Sequence, residues 1–141
     1  MYDENKPANI AQQAKSLTEY RCQQAVRVLR EQIVEIPNVR SWAADAGVSR
    51  RWLCKSMKAV YGKPPKIILR EVKYEKMVML ILDEGANATC YSVSVDAGFG
   101  SAKNGSRFLS SHFGTTFTEL KMDLLKEDHE IDFQWLNGKE S

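Results

Sequence analysis

Cysteine is scarce in this 141-residue chain and badly placed for cross-linking: Cys22, Cys54 and Cys90 are widely spaced and have no CxxC or HxxxC partner. An odd number without metal-ligand spacing signals neither a disulfide framework nor a zinc site, so all three read as reduced thiols. Histidine is scarcer still, with His112 near the end of an expected helix and His129 in an acidic tail. Neither stands in a pattern that makes a ligand or a catalytic base. GxSxG, P-loop and HExxH motifs are all missing, so nothing nominates a catalytic residue, a cofactor or a metal, and the expectation is a protein that is not an enzyme. Long hydrophobic runs are missing too. The six-residue run at 77–82 is far too short to span a bilayer, and the opening Met-Tyr-Asp-Glu-Asn-Lys lacks the apolar core of a signal peptide. No membrane partner is expected, and a cytosolic location is.

What is present is an ordinary globular composition, 43% hydrophobic and 27% charged, which indicates neither disorder nor a membrane class. The net charge of +2 becomes informative when divided along the chain. Residues 1–38 hold five basic and five acidic side chains, residues 39–121 hold thirteen and seven, and residues 122–141 hold two and six. A basic middle followed by an acidic end suits a domain that binds a polyanion.

The pattern along the chain is helical throughout. Residues 1–9 read as disordered, and from about Ile10 to Glu35 an apolar stripe of Leu17, Tyr20, Ala25, Val28, Leu29, Ile33 and Val34 predicts a first helix. Asn38 then caps a short helix over 39–46 with Val39, Trp42, Ala43 and Ala46 on one face, and Gly47 breaks it. Ser49 caps a second helix over 50–61, placing Trp52, Leu53, Met57 and Val60 inward and Arg50, Arg51, Cys54, Lys55 and Lys58 outward. Helix, glycine turn, capped basic helix is helix-turn-helix grammar. Residues 65–84 follow as a long helix entered through Pro64-Pro65 and stopped by Gly85. Its second half is apolar all round, which calls for neighbours on both sides.

After this strut the earlier pattern returns. Thr89 caps 90–97, Gly98 breaks the helix, Phe99 packs the turn, and Ser101 caps 102–113. Ala46-Gly47-Val48-Ser49 aligns with Ala97-Gly98-Phe99-Gly100-Ser101, an internal repeat of about 50 residues with one extra residue in the second turn. The second capped helix turns Ala102, Lys103, Ser106 and Arg107 outward and Phe108, Leu109 and Phe113 inward, and Gly114 ends it. A final helix is expected over 117–126 with Leu120, Leu124 and Leu125 inward, before an acidic tail over 127–141 that carries Phe133 and Trp135.

Ala43, Gly47, Ser49, Leu53 and Gly62 in the first half, then Gly98-Phe99 and His112-Phe113-Gly114 in the second, resemble the double helix-turn-helix DNA-binding domain of the AraC/XylS family of bacterial transcription regulators. The resemblance implies an all-α fold in which two homeodomain-like three-helical lobes are bridged by a long central helix. Residues 10–126 would form the domain, with helix-turn-helix units at 38–61 and 89–113 and the linker helix at 65–84. Gly105, Leu109, Ser94, Phe117 and Lys73 depart from the family pattern, which usually has a large apolar residue, phenylalanine, alanine, proline and arginine there. Family members often carry a separate sensing domain, and this chain reads as a stand-alone reader similar to the small stress-response members.

Arg51, Cys54, Lys55 and Lys58 recur at i, i+3, i+4 and i+7, so they share one side of a helix of the size a major groove admits. With the family's pattern carried over onto these faces, the resemblance implies Arg51, Cys54, Lys55, Ala102, Lys103, Ser106 and Arg107 as the base readers; Ser49, Arg50, Lys58 and Ser101 are the expected phosphate contacts. Duplex DNA is the expected partner, with RNA polymerase a second candidate, for a cytoplasmic, nucleoid-associated monomer. The alternative is a degenerate helix-turn-helix module that binds another protein through 77–82 or through the tail. Gly105 packs nothing in this picture, so Gly105→Ala is expected to stabilise the second unit by roughly 0.5–1 kcal/mol.

Overall fold

Helix boundaries follow the caps. The computed structural model describes residues 2–126, with side chains from residue 13 onward, and the 127–141 tail with His129, Phe133 and Trp135 lies outside the described residues. The elements are α1 (Tyr2–Glu31), a 3-10 turn (Ile33–Glu35), α2 (Val39–Ala46), α3 (Arg50–Tyr61), α4 (Pro65–Glu84), a second 3-10 turn (Gly85–Asn87), α5 (Cys90–Asp96) and α6 (Ala102–Phe113). A last helix, α7, runs over residues 117–126, the end of the described chain, and there is no strand among the described residues. The fold is all-α.

Each helix of the two pairs starts where a side-chain oxygen takes an otherwise unpaired amide. Asn38 accepts from Ser41 N at 2.9 Å, Ser49 from Trp52 N at 3.0 Å, and Ser101 from Asn104 N at 3.1 Å. Thr89 and Ser92 form a reciprocal capping box, and the Ser92 hydroxyl also donates to Glu84 Oε1 at 3.0 Å, tying the end of α4 to α5. Thr116 Oγ1 accepts from Glu119 N at 3.1 Å to start α7. Pro65 opens α4 at its first position, where a missing amide costs no intrahelical hydrogen bond.

The chain divides into two compact units, Met1–Leu69 and Arg70–Ser141, with the boundary inside α4. In the first, α1 packs on α2 and α3, and Cys22, Ala25, Leu29, Ile36, Trp42, Leu53 and Met57 form its buried core. The Trp42 indole N–H donates to the Ala25 carbonyl at 2.8 Å, so the largest core side chain leaves no polar atom unpaired. Trp52, expected inward, is only half-buried, and the Arg21 guanidinium lies 4.8 Å from its ring centre.

Parts of α1 differ from expectation. The helix begins at Tyr2 instead of near Ile10, and residues 2–9 are helical where a disordered stretch was expected; periodicity cannot find such a start because those residues carry no apolar stripe. Leu17 and Tyr20 are exposed, at 58% and 57%, and so is Val34, while Cys22 and Val26 are buried. At about 100° per residue, Leu17 and Tyr20 stand roughly 140–160° around the helix from Cys22, on the far side from the core.

In the second unit α5 packs on α6, and Met77, Ile81, Ala88, Val93, Ala97, Leu109, Phe117 and Leu120 form the core. Tyr74 stacks on Phe113 with ring centres 4.1 Å apart, and Phe99 packs on Phe108 at 4.7 Å. Lys73, half-buried, sits 5.7 Å from the Phe99 ring, and desolvation lowers its amine pKa below the ordinary lysine value. Among the described residues the second half of α4 is covered on one side: Met77 and Ile81 are fully buried, but Met79 is 62% exposed and Leu82 42%. Among the described residues, an apolar circumference therefore did not bring neighbours on both sides.

Gly105 is the clearest reversal. It is buried against α5. A Cβ built at this position would lie 2.6 Å from Ser94 Cβ and closer still to Ser94 Oγ. The missing side chain leaves no empty space, because Ser94, fully buried, already fills it. The expected stabilisation by alanine is corrected to a destabilisation.

Candidate nucleic-acid interface

The two turns share one hydrogen-bond pattern. Gly47 (φ 71°) ends α2, its N–H donating to the Ala44 carbonyl, while Val48 N donates to the Ala43 carbonyl at 3.0 Å. Gly98 (φ 94°) follows α5, its N–H donating to the Val95 carbonyl at 3.0 Å, while Phe99 N donates to the Ser94 carbonyl at 2.9 Å. Both are Schellman motifs, which satisfy the last carbonyls of the first helix and need a left-handed residue that glycine adopts without strain. The extra residue of the second turn, Gly100, also has a positive φ, 80°.

Beyond these turns each second helix presents a polar strip. On α3, Arg50, Arg51, Cys54, Lys55 and Lys58 are all exposed, while Leu53, Ser56 and Met57 are buried on the opposite side. On α6, Lys103, Ser106 and Arg107 are exposed and Ser101 and Ala102 half-buried, while Gly105 and Leu109 are buried. Neither helix contains an acidic residue. Among the described residues none of Arg50, Arg51, Lys55, Lys58, Lys103 and Arg107 is held in an ion pair; Arg27–Glu31, at 3.0 Å, is on α1. Exposed cations with no carboxylate competing for them can meet phosphates or base edges at little desolvation cost.

The geometry brings Arg51, Cys54, Lys55 and Lys58 onto one face of α3, and Lys103, Ser106 and Arg107 onto one face of α6. Ser49 and Ser101 stand at the helix starts, where the macrodipole is positive. Their oxygens already accept a backbone amide, which leaves the hydroxyl hydrogen as the atom to offer a phosphate. Ala102 has a second task, because its carbonyl lies 3.6 Å from the Cys90 thiol, which donates to it.

Two residues with structural parts in this region were missed. Asn104 Nδ2 donates to the Phe99 carbonyl at 3.1 Å, lashing the second turn to α6; an amide side chain three residues after a serine cap is the signal that could have found it. Lys121 Nζ donates to the Ala86 and Ala88 carbonyls at 2.9 and 2.8 Å, joining α7 to the segment before α5, a contact across more than thirty residues that no local pattern announces. Among the described residues no group of three or more His, Cys, Asp and Glu could hold a metal ion, and no helix is long and apolar enough to cross a membrane. Burial raises the Cys22 thiol pKa above its ordinary value, whereas Cys54 is exposed on α3.

Comparison with curated proteins and with solved structures returned no match. A family model described as a helix-turn-helix domain matches residues 42–122, from within α2 into α7. That match takes in more than half of the chain, including α3, both Schellman turns and α6, and the chain therefore belongs to the helix-turn-helix domain family, with a DNA-binding domain of the AraC-like kind.

Proposed function

We infer that this protein is a sequence-specific transcription regulator that reads two segments of major groove, one with α3 and one with α6. The observation that carries the reading is the repeated construction: a side-chain-capped, acid-free helix behind a Schellman turn, with cations on its open face, occurs once in each unit. In this reading Arg51, Lys55, Lys103 and Arg107 donate to guanine O6 and N7, Ser106 and Cys54 make shorter polar contacts, and the Ala102 methyl meets a thymine methyl. Ser49, Arg50, Lys58 and Ser101 hold phosphates and set the register of the helices in the groove.

α4, about 30 Å long for its 20 residues, is the element whose length suits successive turns of a groove roughly 34 Å apart. Selection of bound sites from random duplex DNA tests the reading. The expected product is a site with two separate conserved blocks. Failure to retain any duplex at low salt would refute DNA reading altogether, and would favour a helix-turn-helix module used to bind protein.

A further inference from the structure

The exposed face of α4 is self-complementary. Lys76, Met79, Leu80 and Asp83 recur at i, i+3, i+4 and i+7, so they lie along one side of the helix, and with Leu82 they line a shallow open cleft. Met77 and Ile81, on the other side, are fully buried in the core of the second unit. Two large side chains, Met79 and Leu82, are exposed at 62% and 42%, and half-buried Leu80 packs partly against that core. Along the stripe of 76, 79, 80 and 83 there is one charge of each sign, Lys76 at one end and Asp83 at the other, with exposed Glu75 at its edge beside Met79; among the described residues neither Lys76 nor Asp83 is held in an ion pair.

We propose that this face of α4 binds the same face of a second copy of the chain in an antiparallel, two-fold pairing of the helices. A two-fold axis passing between positions 79 and 80 sets Lys76 of each copy opposite the other copy's Asp83, and Met79 opposite Leu80, every pair occurring twice. A two-fold interface must be complementary to itself, and a face with opposite charges at its ends and apolar residues between them is complementary only when one copy is reversed. A parallel pairing would set lysine against lysine and aspartate against aspartate. The apolar centre is small, which places the dimer in the weak, transient class of interfaces. Two DNA-reading domains joined in this way would occupy paired sites cooperatively, a departure from the monomer expected from sequence.

Sedimentation equilibrium of the full chain over a wide concentration range, with the charge-swap cycle, tests the proposal. The wild type shows a concentration-dependent dimer. Lys76→Asp and Asp83→Lys each weaken it by about tenfold or more, and the double variant returns it to within about threefold of wild type, because the two opposite-sign pairs are restored in reverse. Met79→Glu abolishes it. All three substituted positions lie outside the buried core, and circular dichroism confirms that the four variants are folded. A wild type that stays monomeric at the highest concentration, a dimer indifferent to Met79→Glu, or a double variant no better than the singles each overturns the proposal. An adduct of this face with a different protein while the wild type remains monomeric does so as well.

Discussion

Gly105→Ala sets two known effects against each other. On an exposed helix the substitution would stabilise by roughly 0.5–1 kcal/mol, because alanine has less backbone freedom to lose. Here the new Cβ would stand 2.6 Å from Ser94 Cβ and 3.4 Å from Ser94 Cα, and nearer still to Ser94 Oγ. Carbon atoms sit comfortably at about 3.5–4.0 Å. Rotating the Ser94 hydroxyl away removes the worst contact but leaves the Cβ contact, which rotation about χ1 cannot move. The remaining relief is for α5 and α6 to part by about 1 Å, and forced repacking of this kind costs about 1–3 kcal/mol. The net expectation is destabilisation by about 1–2 kcal/mol, with the repacking term outweighing the helix-propensity gain.

Equilibrium urea melts of the full chain measure this effect, and the control is a size swap. Ser94→Gly combined with Gly105→Ala returns the closest contact to 3.4 Å, so the pair recovers much of the loss, less about 1 kcal/mol for a glycine inside α5. Ser94→Ala combined with Gly105→Ala keeps the Cβ contact and recovers little. A Gly105→Ala protein at least as stable as wild type would refute the close approach of the two helices at this point.

Arg50→Ala should reduce the slope of log affinity against log salt by about 0.9 if this guanidinium neutralises one phosphate, as read in titrations at several salt concentrations. Lys55→Ala and Arg107→Ala should each lose on the order of 1–3 kcal/mol on the specific site and relax specificity in separate blocks of it; footprints that move the same few base pairs would refute two-segment reading. Trp42→Phe should cost about 1–3 kcal/mol of stability, because it removes the buried indole bond to the Ala25 carbonyl along with core volume. Since Trp42 is fully buried in the first unit's core, the preferred DNA sequence should not change, and melts beside a binding-site selection check both halves of that statement.

Residues whose conformation depends on near neighbours were legible. Asn38, Ser49, Thr89 and Ser101 each cap the helix they precede, and Gly47 and Gly114, read as helix stops, take the left-handed conformation at helix ends. The outward strips on α3 and α6 were legible for the same reason, because helical periodicity assigns a side to every residue once the ends of the helix are known. The sequence by itself thus determined the order of the helices, the two turns and which cations share a face.

Tertiary structure decided what covers each face. Leu17, Tyr20, Met79 and Leu82 are apolar and helical in period, yet they are exposed, because burial needs a partner element that the residue's own helix does not specify. Lys121 serves as a clasp on two carbonyls from another segment, and the Trp42 indole finds its acceptor seventeen residues back on α1. Gly105 and Ser94 each look like an isolated departure from a family pattern, and only the packing of α6 on α5 shows that they are two halves of one contact. Local hydrogen bonds and backbone sterics act within a few residues of chain and can be read along it, whereas close packing joins residues that the chain keeps apart.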